Sequence, residues 1–203
     1  LRGILLHSFV DKSYIALHSV GLSEHSEKPY SEADFIVITD FGIFCLEVKG
    51  GNVSMQNGVW KIGYEETGNY YTSSDGPFKQ ASKTIDPILK KLKNSHRNRW
   101  KKFLIYWGVV FPHCSFQEPE GSEWKKDQVC DLTKINNFEK YLIGLGEFTK
   151  KRFSEIGINP DSNITKDDIL WAANVIRKDV VTNNEQNQIL RSSSELINLE
   201  EQQ

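Results

Sequence analysis

The chain has 203 residues, 38% of them hydrophobic and 26% charged, enough for one full core with room for a small satellite. Its formal net charge of −2 excludes the global basic field of a protein that attracts nucleic acid by overall charge, so such binding must come from local clustering. Three cysteines, Cys45, Cys114 and Cys130, are an odd number with no C-x-x-C pair, which excludes a disulfide framework and a thiolate zinc site and fits a reducing cytoplasm. No apolar run reaches about 18 residues, so no membrane-spanning helix is expected. Residues 1–6 (LRGILL) lack the cationic start and cleavage site of a signal peptide and read as the tail of a helix.

In chain order, residues 14–20 (YIALHSV) predict a strand, followed by a polar loop through Tyr30. Residues 34–40 (DFIVITD) and 43–49 (IFCLEVK) predict two strands joined at Phe41-Gly42 as a hairpin, with Gly50-Gly51 ending the second. Cys45 lies inside that apolar run and reads as a small core residue. Residues 58–64 and 69–72 suggest further edge strands. Residues 77–93 turn helical, with a kink at Pro87 or a second helix capped by Asp86. The nearly continuous apolar run 103–111 (FLIYWGVVF) predicts a strand covered on both faces. Residues 137–156 read as a helix, and Thr165-Lys166-Asp167-Asp168 resembles a capping box opening another, with Asp in place of the usual Glu or Gln. Composition shifts to Asn, Gln, Ser and Glu after Lys178, placing a domain over residues 1–178 and a polar linker over 179–203. The order of elements predicts an α/β fold with a mixed sheet.

The hairpin brings chemistry-bearing side chains together. Strand side chains alternate faces, so Glu47 and Lys49 point one way and Val48 points into the core. Asp34 shares their face only if the hairpin loop has an even number of residues. A two-residue loop at Phe41-Gly42 puts Asp34 opposite Lys49, and a four-residue loop puts it opposite Glu47. A three-residue loop with a glycine bulge sends it to the far face. Two carboxylates and a nearby carbonyl suit a magnesium-class cation, which lowers the pKa of bound water and stabilises charge on phosphate. A neighbouring lysine holds water or phosphoryl oxygens as a point charge. The plain alternative is a cross-strand ion pair on an exposed face, worth under ~1 kcal/mol.

The stretch Glu32-Ala33-Asp34-Phe35-Ile36-Val37-Ile38, with Gly42-Ile43-Phe44 and Glu47-Val48-Lys49-Gly50-Gly51, resembles the nuclease-related domain family of the PD-(D/E)xK nuclease superfamily. Trp60 and Pro77-Phe78-Lys79-Gln80-Ala81 fit the same pattern in order and spacing. The resemblance covers residues 14–112 well and the rest loosely. It implies a restriction-endonuclease-like core, a central mixed β-sheet flanked by helices. It also implies Asp34 and Glu47 as ligands of Mg²⁺ or Mn²⁺ with the Val48 carbonyl, Lys49 as catalytic lysine, and Gln80 as an accessory polar group near phosphate or water. Glu32 is either an outer carboxylate or a solvated edge charge. The superfamily often supplies another acid from a helix before the first strand, and residues 1–9 contain none.

Between Lys79 and Lys102 nine cations face one acid, Asp86, a local charge of +8. Lys90, Lys91, Lys93, Arg97, Arg99, Lys101 and Lys102 are therefore candidates for sequence-independent phosphate contacts, with a solvated helix-to-strand connection as the alternative. The five histidines show no metal-ligand spacing, and neither a G-x-S-x-G nucleophile elbow nor a G-x-x-x-x-G-K-[ST] phosphate loop is present. Residues 196–203 resemble the lead-in to a superfamily 1 helicase core, so the expected context is the N-terminal module of a bacterial nuclease–helicase fusion. The leading expectation is a metal-dependent nuclease acting on DNA, with RNA offering the same phosphate chemistry. The alternatives are a nucleic-acid-binding module that feeds DNA to a helicase in cis without cutting, and a protein-interaction platform.

Overall fold

The computed structural model describes residues 14–22, 31–117, 120–158 and 163–177. The helix tail read at residues 1–6, the loop before Tyr30 and the linker at 179–203 lie outside these residues. The strands are β1 (Tyr14–Leu22), β2 (Ser31–Thr39), β3 (Gly42–Val48), β4 (Asn52–Gln56), β5 (Val59–Tyr64), β6 (Asn69–Ser73), β7 (Ile105–Phe111) and β8 (Val129–Asp131). The α-helices are α1 (Pro77–Lys83), α2 (Ile85–Ser95), α3 (Phe138–Glu155) and α4 (Lys166–Ile176). A mixed sheet runs in the order β1-β2-β3-β7-β8, antiparallel through β3 and parallel from β3 to β8. Strands β4, β5 and β6 form a second, antiparallel sheet, where the sequence suggested only added edge strands.

Strand alternation divides the main core between two faces. Ile36, Ile38, Ile43 and Cys45 face Ile88 and Leu92 of α2 and Ile169, Ala172 and Ile176 of α4. Val37, Phe44, Leu46 and Val110 face Phe138, Leu142 and Leu145 of α3. This is the α/β expectation met: β3 and β7, the two near-continuous apolar runs, are central and covered on both sides. A third cluster, with Trp60 and Ile62 of β5, Phe78 and Ala81 of α1, and Val109 and Phe111 of β7, ties the small sheet to the end of β7.

Local chemistry accounts for the differences from the expected elements. The hairpin turn is Asp40-Phe41, one residue earlier than Phe41-Gly42, with Thr39 paired to Gly42. The Thr39 hydroxyl accepts the Phe41 N–H and donates to the Gly42 carbonyl. Gly42, at φ +146°, is a strand residue: a Cβ there would lie 2.3 Å from the Tyr106 ring. The helical run breaks at Thr84, which caps α2 in place of Asp86. Pro87 falls in the first turn of α2, where its missing N–H costs no hydrogen bond. Helix α4 opens with the expected capping box, the Thr165 hydroxyl accepting the Asp168 N–H and the Asp168 carboxylate accepting the Thr165 N–H.

Candidate active site

The β2–β3 ladder stops at the pair Phe35–Leu46. One step further, the register sets Asp34 opposite Glu47, but the backbone bond is replaced: Asp34 Oδ2 accepts the Val48 N–H at 2.8 Å. The loop is even, as a shared face requires. Because it begins a residue early, Asp34 comes opposite Glu47 rather than Lys49, the register the four-residue alternative describes. Glu47 follows Ile43 and Cys45 on the face covered by α2 and α4, and Val48 packs against the opposite core.

Glu47 is only 6% exposed, and its carboxylate meets Lys49 Nζ at 2.5 Å. Burial raises the Glu47 pKa, the Lys49 ammonium opposes that, and the charges of Asp34 and Glu32 raise it further. Burial lowers the Lys49 pKa, but Glu47, Tyr71 and Asp34 outweigh it, so the net shift is upward and the ammonium stays charged. Glu32 is exposed and acts on Glu47 only through its field.

The donor set fits a hard cation of the magnesium class. Asp34 and Glu47 each commit one oxygen within the protein, to Val48 and Lys49 respectively, which leaves each a second oxygen. A residue's N–H and C=O point to the same side of a strand, so the Val48 carbonyl faces the gap where Asp34 sits. Among the described residues no three His, Cys, Asp or Glu side chains gather as a metal-binding group. An ion here would complete its shell with water and phosphate oxygens, as Mg²⁺ habitually does.

The remaining candidates are placed less directly. Helix α1, which carries Gln80, packs on β3 and β7. The Gln80 side-chain amide donates to the Asp75 carbonyl at 2.7 Å, and among the described residues no hydrogen bond joins it to Asp34, Glu47 or Lys49. The basic stretch is spread along the sheet rather than gathered at the carboxylates: Lys91 Nζ lies 3.5 Å from the carbonyl of Gly21, which pairs with Glu32 at the carboxylate end, while its last residues lie toward the other end. Lys102 precedes β7, whose Ile105 pairs with Ile43, whereas Glu47 pairs with Val109 four residues on, about 13 Å along the strand. Several of its residues also have structural partners. Arg99 Nε and Lys102 Nζ each lie 2.7 Å from the buried Asp168 carboxylate, and Lys91 Nζ donates to the Ile176 carbonyl at 3.2 Å. Lys93 lies over the Trp100 ring, and Arg97 and Lys101 are exposed.

Residues not proposed for the site also reach it. Lys49 Nζ lies 6.0 Å from the Tyr71 ring centroid, and His113 Nδ1 accepts the Gly51 N–H at 3.1 Å, two residues beyond Lys49. Tyr64 Oη is 2.8 Å from the same nitrogen. Nothing in the sequence marks these residues. They meet because Gly51, at φ +81°, lets its backbone pack on that of Gly63, where a Cβ would lie 2.5 Å away, and so folds the small sheet back over Lys49.

A mixed α/β sheet flanked by helices, with Asp34 where the β2–β3 ladder stops and an E-x-K triplet on the neighbouring strand, is consistent with a restriction-endonuclease-like fold. The profile of the nuclease-related domain family matches residues 4–112, just over half of the chain, and the chain belongs to that family. No curated protein and no solved structure matches it significantly.

Proposed function

We propose that this domain hydrolyses DNA phosphodiester bonds with Mg²⁺ or Mn²⁺, using Asp34, Glu47 and Lys49. The observation that carries this reading is Glu47: a carboxylate almost fully buried, its pKa raised, held at a strand end between Lys49 and a second acid. Buried charges with perturbed pKa values concentrate at functional sites. Asp34, Glu47 and the Val48 carbonyl would hold the ion, which when bound lowers the pKa of a water and offsets charge on the phosphate. Lys49, kept protonated, serves as a point charge to the phosphoryl oxygens or the attacking water and not as a base. Gln80 keeps its side-chain oxygen for a water. Lys90, Lys91, Lys93, Arg97, Arg99, Lys101 and Lys102 would contact backbone phosphates of the same substrate, independent of its sequence. The same reading places the domain in the cytoplasm, delivered to DNA by a helicase domain in cis.

Titrating Mn²⁺ should show binding that Asp34→Ala and Glu47→Ala abolish, since each removes an anionic oxygen ligand. Lys49→Ala should retain the ion and lose cleavage about 10²- to 10³-fold, as removal of one electrostatic stabiliser does elsewhere. Equal cleavage by wild type and all three variants would assign the cutting to another site. The limited ligand count favours a second reading, a module that binds DNA without cutting. That reading predicts retained DNA affinity with no Mn²⁺-dependent cleavage by the wild type.

A further inference from the structure

In the small sheet, Trp60, Ile62 and Tyr64 alternate onto one face of β5, and Tyr71, opposite Ile62 on β6, shares it. Trp60 and Ile62 are buried and fasten the sheet to α1. The two tyrosines lie toward the candidate active site, each 46% exposed. Tyr71 is the ring next to Lys49, and Tyr64 is held by His113, its ring centroid 6.0 Å from the imidazole. Tyr70, equally exposed, points to the opposite face, with Lys61 Nζ 4.5 Å from its ring centroid. The aromatic surface beside the carboxylates is therefore Tyr71, Tyr64 and His113.

What sets these two half-exposed rings apart from the other exposed apolar side chains is their place beside a lysine and a pair of acids. A nucleotide strand alternates anionic phosphates with flat bases, and proteins that hold single strands alternate cations with aromatic rings in the same way. The Lys49 ammonium next to the Tyr71 ring repeats that alternation on the scale of one nucleotide. In a duplex the base faces are occupied by their neighbours in the stack, so only unpaired bases can use these rings. We infer that Tyr71 and Tyr64 form a stacking platform for unpaired bases flanking the phosphate at Lys49, so that the substrate is a single strand or a frayed end. This rests on the phosphate-directed reading of the Asp34–Glu47–Lys49 cluster and adds the strand state of its substrate.

The test compares two dye-labelled 12-nucleotide strands in EDTA, oligothymidylate and an abasic strand of equal length. Their phosphates are equal in number, so repulsion from the acids cancels and the difference reports the bases. Fluorescence anisotropy should show oligothymidylate binding about tenfold or more tighter. Tyr71→Ala and Tyr64→Ala should each remove much of that difference, and Tyr71→Phe should keep it. A variant-free measurement guards against misfolding. Light-induced crosslinking of wild type to a 5-iodouracil-substituted strand should map to Tyr64 or Tyr71 by mass spectrometry. Equal affinity for both strands, or crosslinks confined to other regions, would overturn the platform. Because EDTA binding needs no catalysis, a wild type that never cleaves with Mn²⁺ removes the nuclease reading and leaves this result standing. A nuclease indifferent to bases does the reverse.

Discussion

Lys49 and Glu47 stand two residues apart on one strand, a spacing common in solvated sheet faces, where the pair would be worth under about 1 kcal/mol. Their surroundings are different. Glu47 is buried, a second carboxylate lies opposite, and burial raises its pKa despite the lysine. Such an arrangement costs stability, and groups of this kind concentrate where chemistry requires them. The cysteines illustrate the converse. Burial pushes the Cys45 and Cys130 thiols up to about 12, and burial also raises Cys114, which is only partly covered. Thiolate is the reactive form. Iodoacetamide at pH 8 should therefore leave Cys45 and Cys130 unmodified in the native protein, alkylate Cys114 slowly, and modify all three in denaturant. Rapid native labelling of Cys45 would contradict its place in the core. At this scale the E-x-K triplet and the role of Cys45 were readable from residue spacing alone. The position of Asp34 was not, because it hangs on the parity and start of the hairpin loop, and Thr39's side-chain bonds decide both.

Among the elements, α4 shows that part of the charge cluster has a structural partner. The sequence offers Arg99 and Lys102 as phosphate contacts, and the fold turns both onto Asp168 at the start of α4. Burial would raise the Asp168 pKa, but Lys102, the Thr165 N–H and Arg99 together hold it well below the usual carboxylate range. A depressed carboxyl contributes stability that is complete above its unfolded value, about 3.9, and is lost as pH falls toward the folded one. Asp168→Ala should therefore cost about 2–3 kcal/mol at pH 7, combining a lost cap with two uncompensated cations that are partly solvated. Urea unfolding should show the gap between wild type and variant shrinking below about pH 4. A gap unchanged at pH 3 would remove the ion cluster from the explanation. The long strands and helices could be placed from periodicity. Two strands of the small sheet, β5 and β6, were readable too, but β4 and β8 were not: β4 is five largely exposed residues and β8 only three, too short for any period to register.

For the whole molecule, a net charge of −2 coexists with a basic surface that runs from α2, where Lys91 reaches Gly21 opposite Glu32, to Lys102 before the start of β7. If Lys90, Lys93, Arg97 and Lys101 contact phosphates, duplex affinity should fall with a log–log salt slope near −0.9 per phosphate neutralised. Reversing Arg97 and Lys101 should flatten that slope by roughly two such increments and weaken all sequences alike. Reversals at Arg99 and Lys102 should act mainly on stability, since those side chains hold Asp168. Unchanged salt dependence after the Arg97 and Lys101 reversals would make the stretch a solvated connection. The division of the core has a separate consequence for where this domain can be cut. The family match ends at residue 112, yet α3, with Phe138, Leu142 and Leu145 over one sheet face, comes later, as does α4, which shares the other face with α2. A fragment stopped at residue 112 would keep the acid–lysine cluster and α2 while baring Val37 and Phe44 to water, and light scattering should show it associating through that bare face. The matched stretch is shorter than the two-faced core around it.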